Sequence, residues 1–165
     1  MKRLSACFYL GSYLGGILGV PILFIIGFFV WPLLILAIPL LIYSQVIYLI
    51  FVYKAWESIQ DGHARTSPCQ AIGLLFVPFF NFYWIFQAHW GFAKDYNAYI
   101  SRHGVAAAPR LSEGLFLAFC IMSLIPFVNI VAPVLYAVII SDICHGVNSL
   151  PVLATVPPFS QVKSG

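Results

Sequence analysis

Long stretches without an ionisable side chain alternate along the chain with short stretches that hold nearly all of them. From Leu4 to Tyr53, fifty residues pass without one Asp, Glu, Lys, Arg or His. Thr66 to Ala93 contains only His89, and Gly114 to Ser141 contains none. As a single helix the first run would reach about 75 Å at ~1.5 Å per residue, against a hydrocarbon core of about 30 Å, so it must cross, turn and cross back. The runs are continuous and rich in Leu, Ile and Phe. They therefore read as helices rather than as the alternating ten-residue strands of a barrel.

Within these runs, Pro78-Phe79-Phe80-Asn81 and Pro126-Phe127-Val128-Asn129 look like one unit used twice. Each follows a β-branched residue and precedes an apolar helix that reaches an acidic residue, Asp95 after 17 positions and Asp142 after 16. Proline removes a backbone donor and biases its predecessor away from the α region, while Asn can cap a helix that restarts after it. A helix break is expected at both, with Asn81 and Asn129 as caps. Ile38-Pro39, 18 residues before Glu57, reads as a decayed third copy that lacks the Asn.

Charge placement decides between two topologies. Four continuous helices with the N-terminus inside would leave Lys94, Arg102 and Arg110 outside, against the positive-inside bias. If the two Pro-Phe-x-Asn elements are turns, the chain makes three hairpins and all eight Lys and Arg fall on one face. The expected fold is thus an all-α integral membrane bundle of three hairpins, about six helical segments. Its middle hairpin is shallow or re-entrant, because Ser67 to Val77 makes only about 16 Å of helix. Four kinked transmembrane helices are the alternative. Residues 1–150 form one helical membrane domain and 151–165 a mostly polar tail. Ser112 to Ile125 and Ile130 to Asn148 are expected to come closer to a true pair of spans.

Composition agrees with this reading. The 165 residues are 62% hydrophobic and 8% charged, with net charge +3, mean hydropathy +0.96 and pI 8.7. Basic residues stand singly or as the pair Lys2-Arg3. That pattern sets topology and could meet anionic headgroups, but it lacks the dense basic clusters that track nucleic acid. Met1-Lys2-Arg3 before an apolar stretch imitates a signal peptide, yet no small-x-small site closes the stretch before Pro21, so an uncleaved first helix is expected. Cys7, Cys69, Cys120 and Cys144 show no CxxC spacing and read as small apolar packing residues rather than metal ligands or disulfides.

Gly11, Gly15 and Gly19 recur every four residues, with Ser12 and Gly16 on the adjacent line. Such a stripe lets a second backbone approach closely, which helix association in lipid requires. The preferred partner is the chain's own second helix. Gln87, His89, Asp142 and His145 make a possible polar site within the membrane, since ionisable groups there are functional candidates by default. His89 and His145 are expected at depths differing by about 12 Å, too far apart for a bis-His haem site. No nucleotide-binding glycine loop, zinc motif, nucleophile elbow or Cys/His dyad occurs, so no catalytic residue, metal or cofactor is assigned.

Thr66 to Asn97 resembles a segment of uncharacterised bacterial multi-span membrane proteins, some of which carry a GYF-like soluble domain. The likeness rests on VPFFNFYWIFQ followed by GFAKDYN and covers about a fifth of the chain. It implies the bacterial inner membrane, with both termini cytoplasmic by the charge argument, and supplies no catalytic residues. Roles tied to the soluble domain are not expected here. The leading functional expectation is a non-enzymatic subunit or scaffold of a membrane complex, with the lipid bilayer and other membrane subunits as partners. A small transporter or channel using the breaks at Asn81 and Asn129 is the first alternative. A redox or enzyme subunit is the second.

Overall fold

The computed structural model describes residues 4–29, 34–105, 107–125 and 131–150, and among them it is helical without strands. Six helices follow one another. They are α1 (Ala6–Phe29), α2 (Leu34–Glu57), α3 (Pro68–Gly73, tightening into a 3₁₀ turn over Leu74–Phe76), α4 (80–102), α5 (Glu113–Leu124) and α6 (Ala132–Asn148). α4 is α-helical over Phe80–Ile85, π-helical over Phe86–Gly91 and α-helical again over Phe92–Arg102.

α1 and α2 are each 24 residues, about 36 Å, and are long and apolar enough to cross a membrane. Both continue through an internal proline, Pro21 and Pro39, so the proposed third break at Pro39 is absent. The two helices run antiparallel. The Tyr9 and Phe51 rings meet tilted, their centres 4.9 Å apart, Ser12 Oγ meets Tyr43 Oη at 3.2 Å, and Gly19 faces Leu40.

The glycine stripe is shifted from its expected line. A Cβ on Gly16 would collide with Ser44, and one on Gly19 would stand 2.8 Å from Leu40 Cδ2. Gly11 and Gly15 have nothing within 4 Å of that position. The close approach therefore follows Ser12, Gly16 and Gly19, a run of helical neighbours on one face. Gly11 and Gly15 point away from α2.

The middle hairpin is built by local chemistry. Ser67 Oγ accepts from Gln70 N–H at 3.3 Å while Gln70 Oε1 accepts from Ser67 N–H at 3.2 Å, a reciprocal capping box with Pro68 at the first helical position. α3 and its 3₁₀ turn give only about 15 Å of rise. Val77 is then extended, as a residue before proline must be. Phe79 takes φ 63°, a left-handed conformation costly for an aromatic residue, and reverses the chain. The indole of Trp84 donates back to Ala71 O at 3.2 Å. With the reversal at Pro78, the described residues form six helices rather than four.

Asn81 does not cap α4. The N-cap is Phe79, and no side chain caps the helix. The turn's own carbonyls meet the first donors instead: Phe80 N–H bonds Pro78 O at 2.7 Å and Asn81 N–H bonds Val77 O at 3.0 Å. Pro126, Asn129 and the 151–165 tail lie outside the described residues. The last hairpin is shorter than expected, with α5 spanning 12 residues and α6 spanning 17. Neither reaches the length of a full crossing.

The described polar connections gather at one end of the bundle and are tied there. Asp95 on α4 is buried and holds Arg65, accepting from its backbone N–H at 3.0 Å and its Nε at 2.7 Å. Arg102 on α4 donates in turn to Asp61 through Nε at 3.1 Å and Nη2 at 2.8 Å. Asn97 fastens the 103–112 connection, donating to Leu111 O and accepting from Leu111 N–H, both at 2.9 Å. Asn148 ties the start of α1 to the end of α6. Beneath this layer lies a buried apolar core that includes Trp56, Phe92, Tyr96, Phe116, Ile139 and Cys144. Gly146 lets Tyr96 approach closely there, since a Cβ on it would stand 2.7 Å from Tyr96 Oη and the buried ring would have to shift. The opposite halves of α1 and α2, from Ile22 to Ile26 and Ile35 to Ile42, leave large apolar side chains exposed.

Candidate functional site

The π-helical turn in α4 turns His89 into the bundle, where it is 2% exposed. Such turns occur often at functional sites. The carbonyl of Ala88 accepts from the fully buried indole of Trp56 at 3.0 Å. His89 Nε2 shares a hydrogen bond of 2.8 Å with Tyr48 Oη. Phe119 and Tyr136 meet its ring edge to face at 5.1 and 5.4 Å. Tyr136 is the hub of this aromatic cluster, also contacting Tyr13 at 4.8 Å, Phe119 at 5.0 Å and Tyr48 at 5.5 Å between ring centres. Its hydroxyl is buried and has no hydrogen-bond partner among the described residues.

Tyr13, Tyr48, Phe119 and Tyr136 line a cavity of about 620 Å³ to which all six helices contribute residues. That volume falls within the range of small-molecule sites, about 300–1,000 Å³. Ser44, Gln45, Asn81 and Ser123 supply uncharged polar groups to the lining, and among the described residues no charged side chain takes part. The cavity is open at its side, where the rim residues Gln45, Phe76 and Asn81 are exposed. This opening is remote from the polar end. Gln45 lies about 18 Å along α2 from Glu57, and Asn81 about 20 Å along α4 from Asp95.

Of the four residues assigned to a polar site, only His89 enters the interior. Gln87 donates from Nε2 to Tyr83 Oη at 2.8 Å and does not line the cavity. Asp142 and His145 stand on α6 near the polar end, His145 exposed, with no hydrogen bond or ion pair joining them among the described residues. The sequence reading missed Gln45, Tyr48 and Tyr136. A signal for the first was present: Gln45 is the only carboxamide in the first fifty-residue apolar run, and Tyr48 follows on the same helical face.

Compared with protein-family models, curated proteins and solved structures, the chain matches none.

Proposed function

We propose that the chain is a multi-pass membrane protein that holds a small molecule inside its helical bundle, acting in solute or lipid handling rather than as an inert scaffold. The observation that carries this reading is the cavity between the six helices, with four uncharged polar side chains and an aromatic wall. In hydrocarbon each unpaired carboxamide is costly, so Gln45 and Asn81 facing one hollow are better explained by a bound partner than by packing. The broken hairpin at Pro78 supports it too. It sets Asn81, in the first turn of α4, on the rim of the cavity across from Gln45. The likeness of Thr66 to Asn97 to bacterial multi-span proteins accords with an inner-membrane location, with both termini cytoplasmic.

The test is native mass spectrometry of the protein released from its own membranes in mild detergent. A small-molecule adduct retained by the wild type and lost in the cavity-filling variant Ser123→Trp supports the reading. A wild type free of any adduct, with the variant equally stable, contradicts it.

A subunit or scaffold role is the second reading, favoured by the exposed apolar halves of α1 and α2. Co-purification of a second membrane protein would support it, and a lone monomer in size-exclusion chromatography would remove it. Contact with anionic headgroups draws less support. Arg65 and Arg102 are paired with aspartates, Lys54 with Glu57, and Lys94 sits 3.2 Å above the Trp90 ring. Haem ligation draws none from the placement of the two histidines, one bonded to Tyr48 and the other exposed at the polar end.

A further inference from the structure

We infer that the cavity takes an uncharged amphipathic lipid of the diacylglycerol type, entering sideways from the apolar phase with its hydroxyl and ester head against Gln45 and Asn81. The inference rests on the proposed membrane setting and on the cavity as a binding site, and it names the ligand class.

Three features point to this chemistry. First, Tyr13, Tyr48, Ser44, Gln45, Asn81 and Ser123 offer donors and acceptors without a charge. A phosphate or ammonium headgroup would stay unpaired there, which a low-dielectric site strongly disfavours. Second, the side chains of Gln45 and Asn81 make no hydrogen bond to another described residue, although Ser44 and Ser123 are already bonded to helix carbonyls at 2.9 and 2.8 Å. The two free carboxamides provide four donor hydrogens and two acceptor oxygens, which suit a hydroxyl beside ester carbonyls. Third, the opening is flanked by exposed Phe76 and lies about 20 Å from the charged end, so a molecule reaching it comes from the lipid phase rather than from water. A head that fills the hollow leaves its chains along the exposed apolar faces of α1 and α2, where Ile22, Ile38 and Ile42 offer matching surface.

The experiment measures binding of dioleoylglycerol and of dioleoylphosphatidate, which share chains and differ in headgroup charge, to the purified full-length protein by native mass spectrometry. Wild type is compared with Gln45→Leu, Asn81→Leu and the double variant, each checked for an unchanged melting temperature. Because neither carboxamide has a hydrogen-bond partner among the described residues and both are exposed, folding is expected to survive, and either single variant serves if the double one does not fold. The expected result is binding of the diacylglycerol at least tenfold tighter than the phosphatidate, weakened tenfold or more by the substitutions. Equal binding of both lipids, tighter binding of the phosphatidate, or undiminished binding by the variants overturns the inference. A charged or water-soluble adduct on protein from native membranes would overturn it while leaving the cavity reading intact. Absence of any adduct and of any lipid binding would remove both.

Discussion

Asn148 grips Leu4 with both halves of its carboxamide: Oδ1 accepts from the Leu4 N–H at 2.8 Å and Nδ2 donates to the Leu4 carbonyl at 2.6 Å. The two residues stand 144 positions apart, so this pair closes the bundle by joining the first helix to the last. Each neutral hydrogen bond contributes about 1 kcal/mol net, and a stranded partner in a partly buried site costs more. Asn148→Leu is therefore expected to lower stability by about 1–3 kcal/mol. Asn148→Asp, which keeps the acceptor and loses the donor, should fall between Leu and wild type at neutral pH. Thermal unfolding in detergent measures both, and an unchanged Asn148→Leu would remove the closing role.

Gly16 and Gly15 are neighbours with opposite expected tolerances. A side chain at Gly16 meets Ser44 of α2, whereas one at Gly15 meets open space. Overpacking typically costs about 1–3 kcal/mol, and forced separation of the helices also forfeits their dispersion contacts. Gly16→Leu should cost that much or prevent folding, with Gly15→Leu close to neutral. Loss of stability in Gly15→Leu alone would place a second partner on the stripe of Gly11 and Gly15.

Asp61 supplies a pH signature outside the apolar segments. Burial alone would raise its carboxyl, but the hydrogen bond and charge of Arg102, with the His63 backbone N–H, outweigh burial and hold it below the usual carboxylate value. A carboxyl depressed on folding contributes stability that is present above its unfolded pKa and lost as pH falls through the folded one. The Arg102 tie should thus hold at neutral pH and weaken as the medium is acidified through and below pH 3.8. Asp61→Asn should be less stable than wild type at pH 7, with the gap narrowing in acid. A gap independent of pH would mean the carboxylate charge plays no part.

Much of the architecture is legible in the residues, for identifiable reasons. Pro78 forces an extended predecessor, and the placement of Lys and Arg asks for polar connections at one end, so the hairpin over α3 and α4 follows from local and electrostatic rules. The glycine face was missed by one residue, because adjacent helical positions differ by about 100° and composition does not say which line faces the partner. The Asn81 cap failed because a left-handed Phe79, unforeseeable from an aromatic residue, let backbone carbonyls do the capping. The Asp95–Arg65 and Asn148–Leu4 ties cross 30 and 144 residues, beyond any local pattern. His89 was visible as an oddity in its run. Its environment was not, since the π turn shifts the register of α4 and Tyr48 and Tyr136 arrive from other helices.

The central claim is that the reversal at Pro78 keeps every described polar connection on one side of a membrane, with the hairpin tip and the cavity mouth in the apolar phase. The most direct measurement places single cysteines at His63, His103 and Phe79 in a cysteine-free background and exposes intact cells to a membrane-impermeant thiol reagent, then repeats the labelling after permeabilisation. Exposed His63 and His103 flank α3 and α4, and Phe79, 86% exposed, marks the tip between them. The account predicts that His63→Cys and His103→Cys resist labelling in intact cells and label together once the cells are opened, while Phe79→Cys stays unreactive in both. Labelling of His103→Cys but not His63→Cys in intact cells would mean that the chain crosses completely between them, and would contradict it.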